Sequence, residues 1–279
     1  MTPLPATVRV DTHFHVFEAG VAVEGARYVP AYAARLDDWW RCARSVGMTH
    51  GVLVQPSFLG TDNRVMLASL RAHPQRLRGV AVVKPDISAA ELVDMHAAGV
   101  RGIRLNLVGG PHDIGEWVRA KALWDQLLSM NWHVELHTDR GRLPAVLPQL
   151  PAGLPIVVDH MGKPLRACAD DLTIAMLRTR AQGRLSVKLS GAYRLGGLDP
   201  RELAQVLLGE LGPTALLWGS DWPCTNHERC ADYPSLFASL GQWVDQPVLD
   251  AVLHANPLRL LWGREPQVAA RSSPDTDRD

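Results

Sequence analysis

Val8-Arg9-Val10-Asp11-Thr12-His13-Phe14-His15 is an apolar run that ends in two histidines spaced two apart. In an extended strand residues i and i+2 point to the same side, so both imidazoles can turn into one cavity at the strand's C-terminal end. Working outward, the run Val8–Val10 is followed by seven more of the same kind: Gly51–Val54, Gly79–Val83, Val100–Leu107, His133–Leu136, Pro155–Val158, Leu185–Leu189 and Ala215–Trp218. Nearly continuous apolar runs of this length read as parallel strands covered on both faces. Between them lie helical patterns over Asp37–Val46, Asn63–Ala72, Ala89–Ala98, Glu116–Met130, a Pro-interrupted piece near Leu143–Leu150, Asp171–Ala181, Pro200–Leu211 and a closing helix near Pro247–Leu261.

Eight βα units in about 250 residues predict an α/β fold, a single (β/α)8 TIM barrel. An open doubly wound sheet can be written from the same order. Against it, no G-x-G-x-x-G turn follows the first run, and polar residues gather at one end of many runs. No repeat or linker divides the chain, so one domain is expected over residues 1–265. The polar, Pro-containing stretch 266–279 is expected to be a disordered tail.

Active sites of such barrels sit at the C-terminal ends of the strands. There the chain places His13 and His15, then Arg104-Leu105-Asn106, His133-Val134-Glu135-Leu136-His137, Asp159-His160-Met161-Gly162, and Gly219-Ser220-Asp221-Trp222-Pro223. Histidine makes up 11 of 279 residues, so its recurrence at three strand ends is unexpected by chance. Neutral imidazoles suit a borderline metal such as zinc, and Asp221 can bind the metal or take a proton from water. No Lys or Glu ends the fourth run to bridge a second metal, so one divalent ion, or none, is expected. If His137 points inward, so do His133 and Glu135, and a carboxylate then lies inside the barrel needing a cation, with Arg104 the nearest candidate. The inward orientation is the expectation adopted here.

Arg104, Lys163, Lys188 and Arg194 on the same rim suggest an anionic organic acid as ligand, since guanidinium forks bind carboxylates bidentately. Lys188 can instead neutralise an internal carboxylate. Ser57 offers a small polar group after the second run, and Asn226 either hydrogen-bonds substrate or lines the rim. The insertion Arg27-Tyr28-Val29-Pro30-Ala31-Tyr32 can cover the pocket and bring Tyr28 to it. Cys224 has no base at a recognisable spacing and is expected to be a passive thiol.

The 29 Lys+Arg and 29 Asp+Glu cancel, so nothing global favours nucleic acid. Four scattered cysteines fit a reducing compartment. No window approaches the roughly 20 apolar residues of a membrane helix, and no signal peptide opens the chain. A cytoplasmic protein is expected. Oligomeric state is not legible in the sequence.

Asp11-Thr12-His13-Phe14-His15, Gly102-Ile103-Arg104-Leu105-Asn106, Asp159-His160-Met161-Gly162-Lys163-Pro164, Lys188-Leu189-Ser190-Gly191 and Gly219-Ser220-Asp221-Trp222-Pro223 together resemble the amidohydrolase superfamily. The likeness runs from about Val10 to Trp262 and is closest to the branch of 2-pyrone-4,6-dicarboxylate lactonase and related muconolactone and sugar-lactone hydrolases. This resemblance implies a distorted barrel that hydrolyses a small carboxylate-bearing lactone. It implies His13, His15, His160 and Asp221 as the catalytic set, with Asp221 the base, and Arg104 and Arg194 as the holders of substrate carboxylates. Zinc-binding relatives carry a histidine where His137 stands, which adds His137 to a ligand set of His13, His15, His160 and Asp221. The pyrone lactonase is regarded as working without a metal. A metal-dependent decarboxylase of an unsaturated acid is the second reading, and an inactive binding barrel the third.

Overall fold

Eight strands, β1 (Val10–Phe14), β2 (His50–Val54), β3 (Leu77–Ala81), β4 (Val100–Asn106), β5 (His133–His137), β6 (Ile156–Val158), β7 (Leu185–Leu189) and β8 (Leu216–Trp218), pair in sequence order, each parallel to the next. The computed structural model describes residues 8–181, 184–229 and 232–263. Ten helices, α1 (Leu36–Ser45), α2 (Arg64–Ala72), α3 (Ala89–Ala98), α4 (Gly115–Arg119), α5 (Lys121–Ser129), α6 (Leu143–Val146), α7 (Leu172–Ala181), α8 (Pro200–Leu211), α9 (Tyr233–Trp243) and α10 (Gln246–Asp250), occupy the intervals among the described residues. This is the expected (β/α)8 barrel.

The seam between β1 and β8 closes through a buried carboxylate. Asp11 accepts hydrogen bonds from Ser220 N (2.9 Å), Ser220 Oγ (2.7 Å), Trp39 Nε1 (3.1 Å) and Tyr233 Oη (2.9 Å). Asp221 N donates to His13 O and His15 N to Trp222 O, both at 2.8 Å. These bonds hold the ends of the first and last strands side by side. They also explain why β1 extends past Val8–Val10: Asp11 reads as a strand breaker alone, but inside the barrel its donors satisfy it.

Helix sequences follow from burial on one face. In α1, Trp39, Trp40 and Ala43 face the core, Asp37 and Asp38 lie in the first turn, and Arg44 lies in the last. Trp39 stacks on Phe14 of β1 with ring centroids 3.7 Å apart, docking the helix on the barrel. α3 begins with a capping box in which Ser88 and Glu91 satisfy each other's backbone N–H groups.

Three expectations need correction. The helix over Glu116–Met130 is two helices, broken at Ala120, where the Trp117 carbonyl accepts both the Ala120 N–H (2.9 Å) and the Trp124 indole (2.8 Å). α9 had no counterpart in the sequence reading, although Asp232 caps it by accepting from Ser235 N at 3.0 Å. The closing helix is α-helical over α10 and then widens into π turns over Ala251–Ala255 and Leu258–Trp262. The tail placed at 266–279 lies outside the described residues. No described helix is long and apolar enough to cross a membrane.

Candidate active site

The site collects at the C-terminal ends of the strands. β1 delivers His13 and His15, β4 Arg104, β5 His137, and the turns after β6, β7 and β8 deliver His160, Arg194 and Asp221. Two of these turns use backbone that side chains seldom adopt: φ is 50° at His160, 58° at Asp221, 64° at Cys224 and 67° at Asn226. Each such residue costs about 1–3 kcal/mol, and such strain clusters at functional sites. Gly191 serves a related purpose, since a Cβ there would lie 2.5 Å from His160 Nδ1.

Hydrogen bonds orient the imidazoles. His15 Nδ1 lies 2.7 Å from the carbonyl of Val54, which can only accept, so Nδ1 carries a proton. His13 Nδ1 lies 3.1 Å from both Asp159 Oδ1, which accepts, and Lys188 Nζ, which donates. The Nε2 atoms of both rings face Asp221 Oδ1, at a hydrogen-bonding 3.3 Å from His15 and 3.5 Å from His13, and His13 Nε2 is buried with no hydrogen-bond partner. A buried imidazole nitrogen without a partner, set beside a second imidazole and a carboxylate, is an arrangement a cation relieves. His13, His15 and Asp221 form one group of donors spaced to hold a metal, and His13, Asp159 and His160 a second. The residues therefore fit a divalent ion.

The other Asp221 oxygen receives Tyr193 Oη (2.7 Å) and Arg194 Nε (2.8 Å), with His160 Nε2 at 3.9 Å. Burial opposes ionisation of Asp221, but the Arg194 guanidinium together with His160, His15 and His13 outweighs it and holds the carboxyl well below the usual range. Burial likewise keeps His160 and His137 neutral and pushes His13 down to about 3. Asp221 is thus an ionised carboxylate beside the neutral imidazoles of His13 and His160.

Beneath lies a buried ionic layer. Arg104 donates to Asp159 Oδ2 from Nε (3.1 Å) and Nη2 (2.8 Å) and lies 3.4 Å from Glu135 Oε1. Lys188 pairs with Glu135 and sits 3.3 Å from Asp159 Oδ1 and 3.1 Å from His13 Nδ1. Burial and the charge of Asp159 raise Glu135 to about 7. The inward face of β5 is as expected, with His133, Glu135 and His137 all buried. Lys188 takes the neutralising role allowed for it.

Above this layer opens a cavity of about 160 Å³, bordered by His15, His137, His160, Asp221, Arg104 and Arg194 and, farther out, by Tyr28, Ser57 and Asn226. Every sequence-predicted site residue except His13, which lies just below, reaches this wall. His137 stands apart from both metal-holding groups. Its Nδ1 faces Arg104 Nη2 and its Nε2 faces Lys163 Nζ, each at 3.2 Å, and burial lowers Lys163 to about 8. Cys224 is buried, and burial together with Asp221 raises its thiol to about 12, consistent with a passive role. The sequence reading passed over Tyr193, Asp159 and Glu228. Asp159 and Tyr193 directly precede the residues singled out, His160 and Arg194, and that adjacency was the available signal. Glu228, which accepts from Tyr28 Oη (2.5 Å) and Tyr32 Oη (2.8 Å), had none.

A parallel barrel with histidines on β1 and after β6, and an aspartate after β8, defines a class of hydrolytic barrel, and comparison with known proteins gives the family. Residues 10–262 match the Amidohydrolase family model, and the chain belongs to that family. It is 30% identical to a 2-pyrone-4,6-dicarboxylate hydrolase from Comamonas testosteroni, over 94% of this chain and 92% of the relative. It is 28% identical to a 4-sulfomuconolactone hydrolase from Rhizobium radiobacter, over 90% and 89%. Among solved structures, a probable 2-pyrone-4,6-dicarboxylic acid hydrolase from Acinetobacter baumannii with citric acid bound superposes with a TM-score of 0.81 at 32% identity. That match covers 91% of this chain and 99% of the other.

Proposed function

We propose that this protein is a lactonase that opens a small carboxylate-bearing lactone with an activated water. The observation that carries the reading is Asp221: an ionised, buried carboxylate at the floor of the cavity, gripped on one oxygen by Tyr193 and Arg194 and facing the Nε2 atoms of His13 and His15 with the other. The lactone hydrolases among its relatives support the same chemistry.

In this reading a water beside Asp221 gives its proton to the carboxylate as its oxygen bonds to the ring carbonyl carbon. His160, whose Nδ1 lies 3.0 Å from Ser190 Oγ, directs Nε2–H toward the developing oxyanion when the serine hydroxyl donates to Nδ1. The intermediate collapses, the ring C–O bond breaks, and the leaving oxygen recovers the proton from Asp221. Arg104 and Arg194 orient the substrate's carboxylate, with Ser57, Asn226 and Tyr28 closing around it. A divalent ion held by His13, His15 and Asp221, zinc being the best match to two imidazoles and a carboxylate, would polarise the carbonyl and acidify the water. The cavity is small beside the 300–1,000 Å³ of drug-sized sites, in keeping with a small ring compound.

Asp221→Asn tests the assignment. Turnover of carboxylate-bearing lactones, followed by proton release, is expected to fall by roughly 10²–10⁴-fold, the usual cost of removing a general base, while substrate binding persists. Retained turnover refutes Asp221 as base, and carbon dioxide in place of a hydroxy acid refutes the lactonase reading in favour of decarboxylation. Elemental analysis combined with activity after chelation decides whether the ion is needed.

A further inference from the structure

The cations around the cavity are unequally engaged. Arg104 is held by Asp159 and Glu135, and Arg194 by Asp221 and by the Thr225 carbonyl at 3.1 Å. Below them Lys188 is matched to Glu135 and Asp159. Three carboxylates thus already answer three cations. A fourth cation borders the same cavity, the guanidinium of Arg27, and among the described residues it has neither a hydrogen bond nor a carboxylate within ion-pair distance. Asp139 stands on the same rim, but its carboxylate accepts from Gly109 N (2.9 Å) and lies 3.8 Å from His112.

The segment that carries Arg27 is held in place. It is closed at its base by reciprocal bonds between Phe17 and Ala34, at 3.0 and 2.9 Å. Val23 N donates to Phe58 O (2.8 Å), and Tyr28 and Tyr32 are tied to Glu228 on the loop after β8. The guanidinium rests against Gly109 of the loop after β4, where any side chain at that glycine would collide with Nη1. An anchored chain and a bare glycine together set an unpaired positive charge at the mouth of the pocket.

We propose that Arg27 is a specificity-determining residue: it binds a second anionic group, a carboxylate or comparable oxyanion, on a small ring substrate whose first anionic group is taken deeper in the cavity. The class selected is a ring compound carrying two separated negative charges. This assignment rests on the cavity being the substrate pocket, as the lactonase reading holds, but not on hydrolysis taking place.

The test is calorimetric and uses unreactive probes on the full chain. Benzene-1,3-dicarboxylate carries two carboxylates on one six-membered ring, and benzoate carries one. The wild-type protein is expected to bind the dicarboxylate roughly tenfold more tightly than benzoate, a gain kept modest because the Arg27 guanidinium is exposed. Arg27→Gln is expected to abolish that tenfold preference while leaving benzoate within about twofold. An unchanged preference in R27Q, an equal loss for both probes, or no preference in the wild type would each overturn the proposal. Circular dichroism of R27Q confirms that the fold is intact, as expected for an exposed side chain without partners. Retained turnover in Asp221→Asn would remove the lactonase mechanism and leave this binding comparison standing, so the two failures are distinguishable.

Discussion

Lys188 is 2% exposed and is the cation that lets Glu135 and Asp159 exist inside the barrel. Replacing it with methionine keeps most of the volume and removes the charge. Breaking a buried ion pair from one side costs about 3–5 kcal/mol, because the remaining carboxylate has neither water nor a partner. At about 2–4 °C per kcal/mol for a domain of this size, the melting temperature is expected to fall by roughly 6–20 °C. Arg104, 3.4 Å from the other Glu135 oxygen, places the loss toward the lower end. Urea unfolding followed by tryptophan fluorescence measures it. The deficit is also expected to depend on pH. Glu135 already titrates near 7 in the folded protein, above its ordinary value of 4.5, so folding takes up a proton there and this group's contribution to stability falls as pH rises through that window. Without Lys188 the carboxyl rises further, and protonating it removes the stranded charge. The K188M deficit is therefore expected to shrink between about pH 8 and about pH 5.5, and adding Glu135→Gln to K188M is expected to recover part of it. A K188M protein within about 1 kcal/mol of wild type, or a deficit independent of pH, would refute the charge-balance account.

Gly191→Ala places a methyl group against the imidazole of His160, at a backbone φ of 59° that itself disfavours a side chain. Turnover is expected to fall more than about tenfold, with a stability loss of about 1–2 kcal/mol by thermal melt, and unchanged kinetics would remove His160 from the reaction. The Cys224 thiol, raised to about 12, is expected to resist iodoacetamide near pH 8, and Cys224→Ser is expected to keep most of the activity. Rapid alkylation with loss of turnover, measured by mass spectrometry and assay together, would contradict that.

How much of this was legible in sequence differs element by element. β4, β5 and β7 stand within a residue of their expected bounds because a strand covered on both faces must be apolar throughout, and that pattern is local. The imidazoles and Asp221 could be placed at one mouth because parallel strands share a direction and thus an end. Asp11 reads in sequence as the opening of a polar motif, yet its carboxylate is the seam of the barrel, bonded to Ser220 more than two hundred residues away. α9 was missed because its cap, Asp232, and its core contacts, Tyr233 and Leu240, become informative only once the barrel wall is present.

The sequence by itself determined the barrel, the order of its strands and the identity of the polar residues at their ends, since each follows from periodicity and direction along the chain. The tertiary structure alone decided how those residues are charged and which are free. It tied Arg104 and Arg194 to buried carboxylates, turned the Nε2 atoms of two imidazoles onto one oxygen of Asp221, set His137 between two cations, and left Arg27 at the mouth unpaired among the described residues. The reason is physical: protonation and pairing depend on distances of a few ångströms between residues far apart in the chain, and on a burial that closure of the barrel creates.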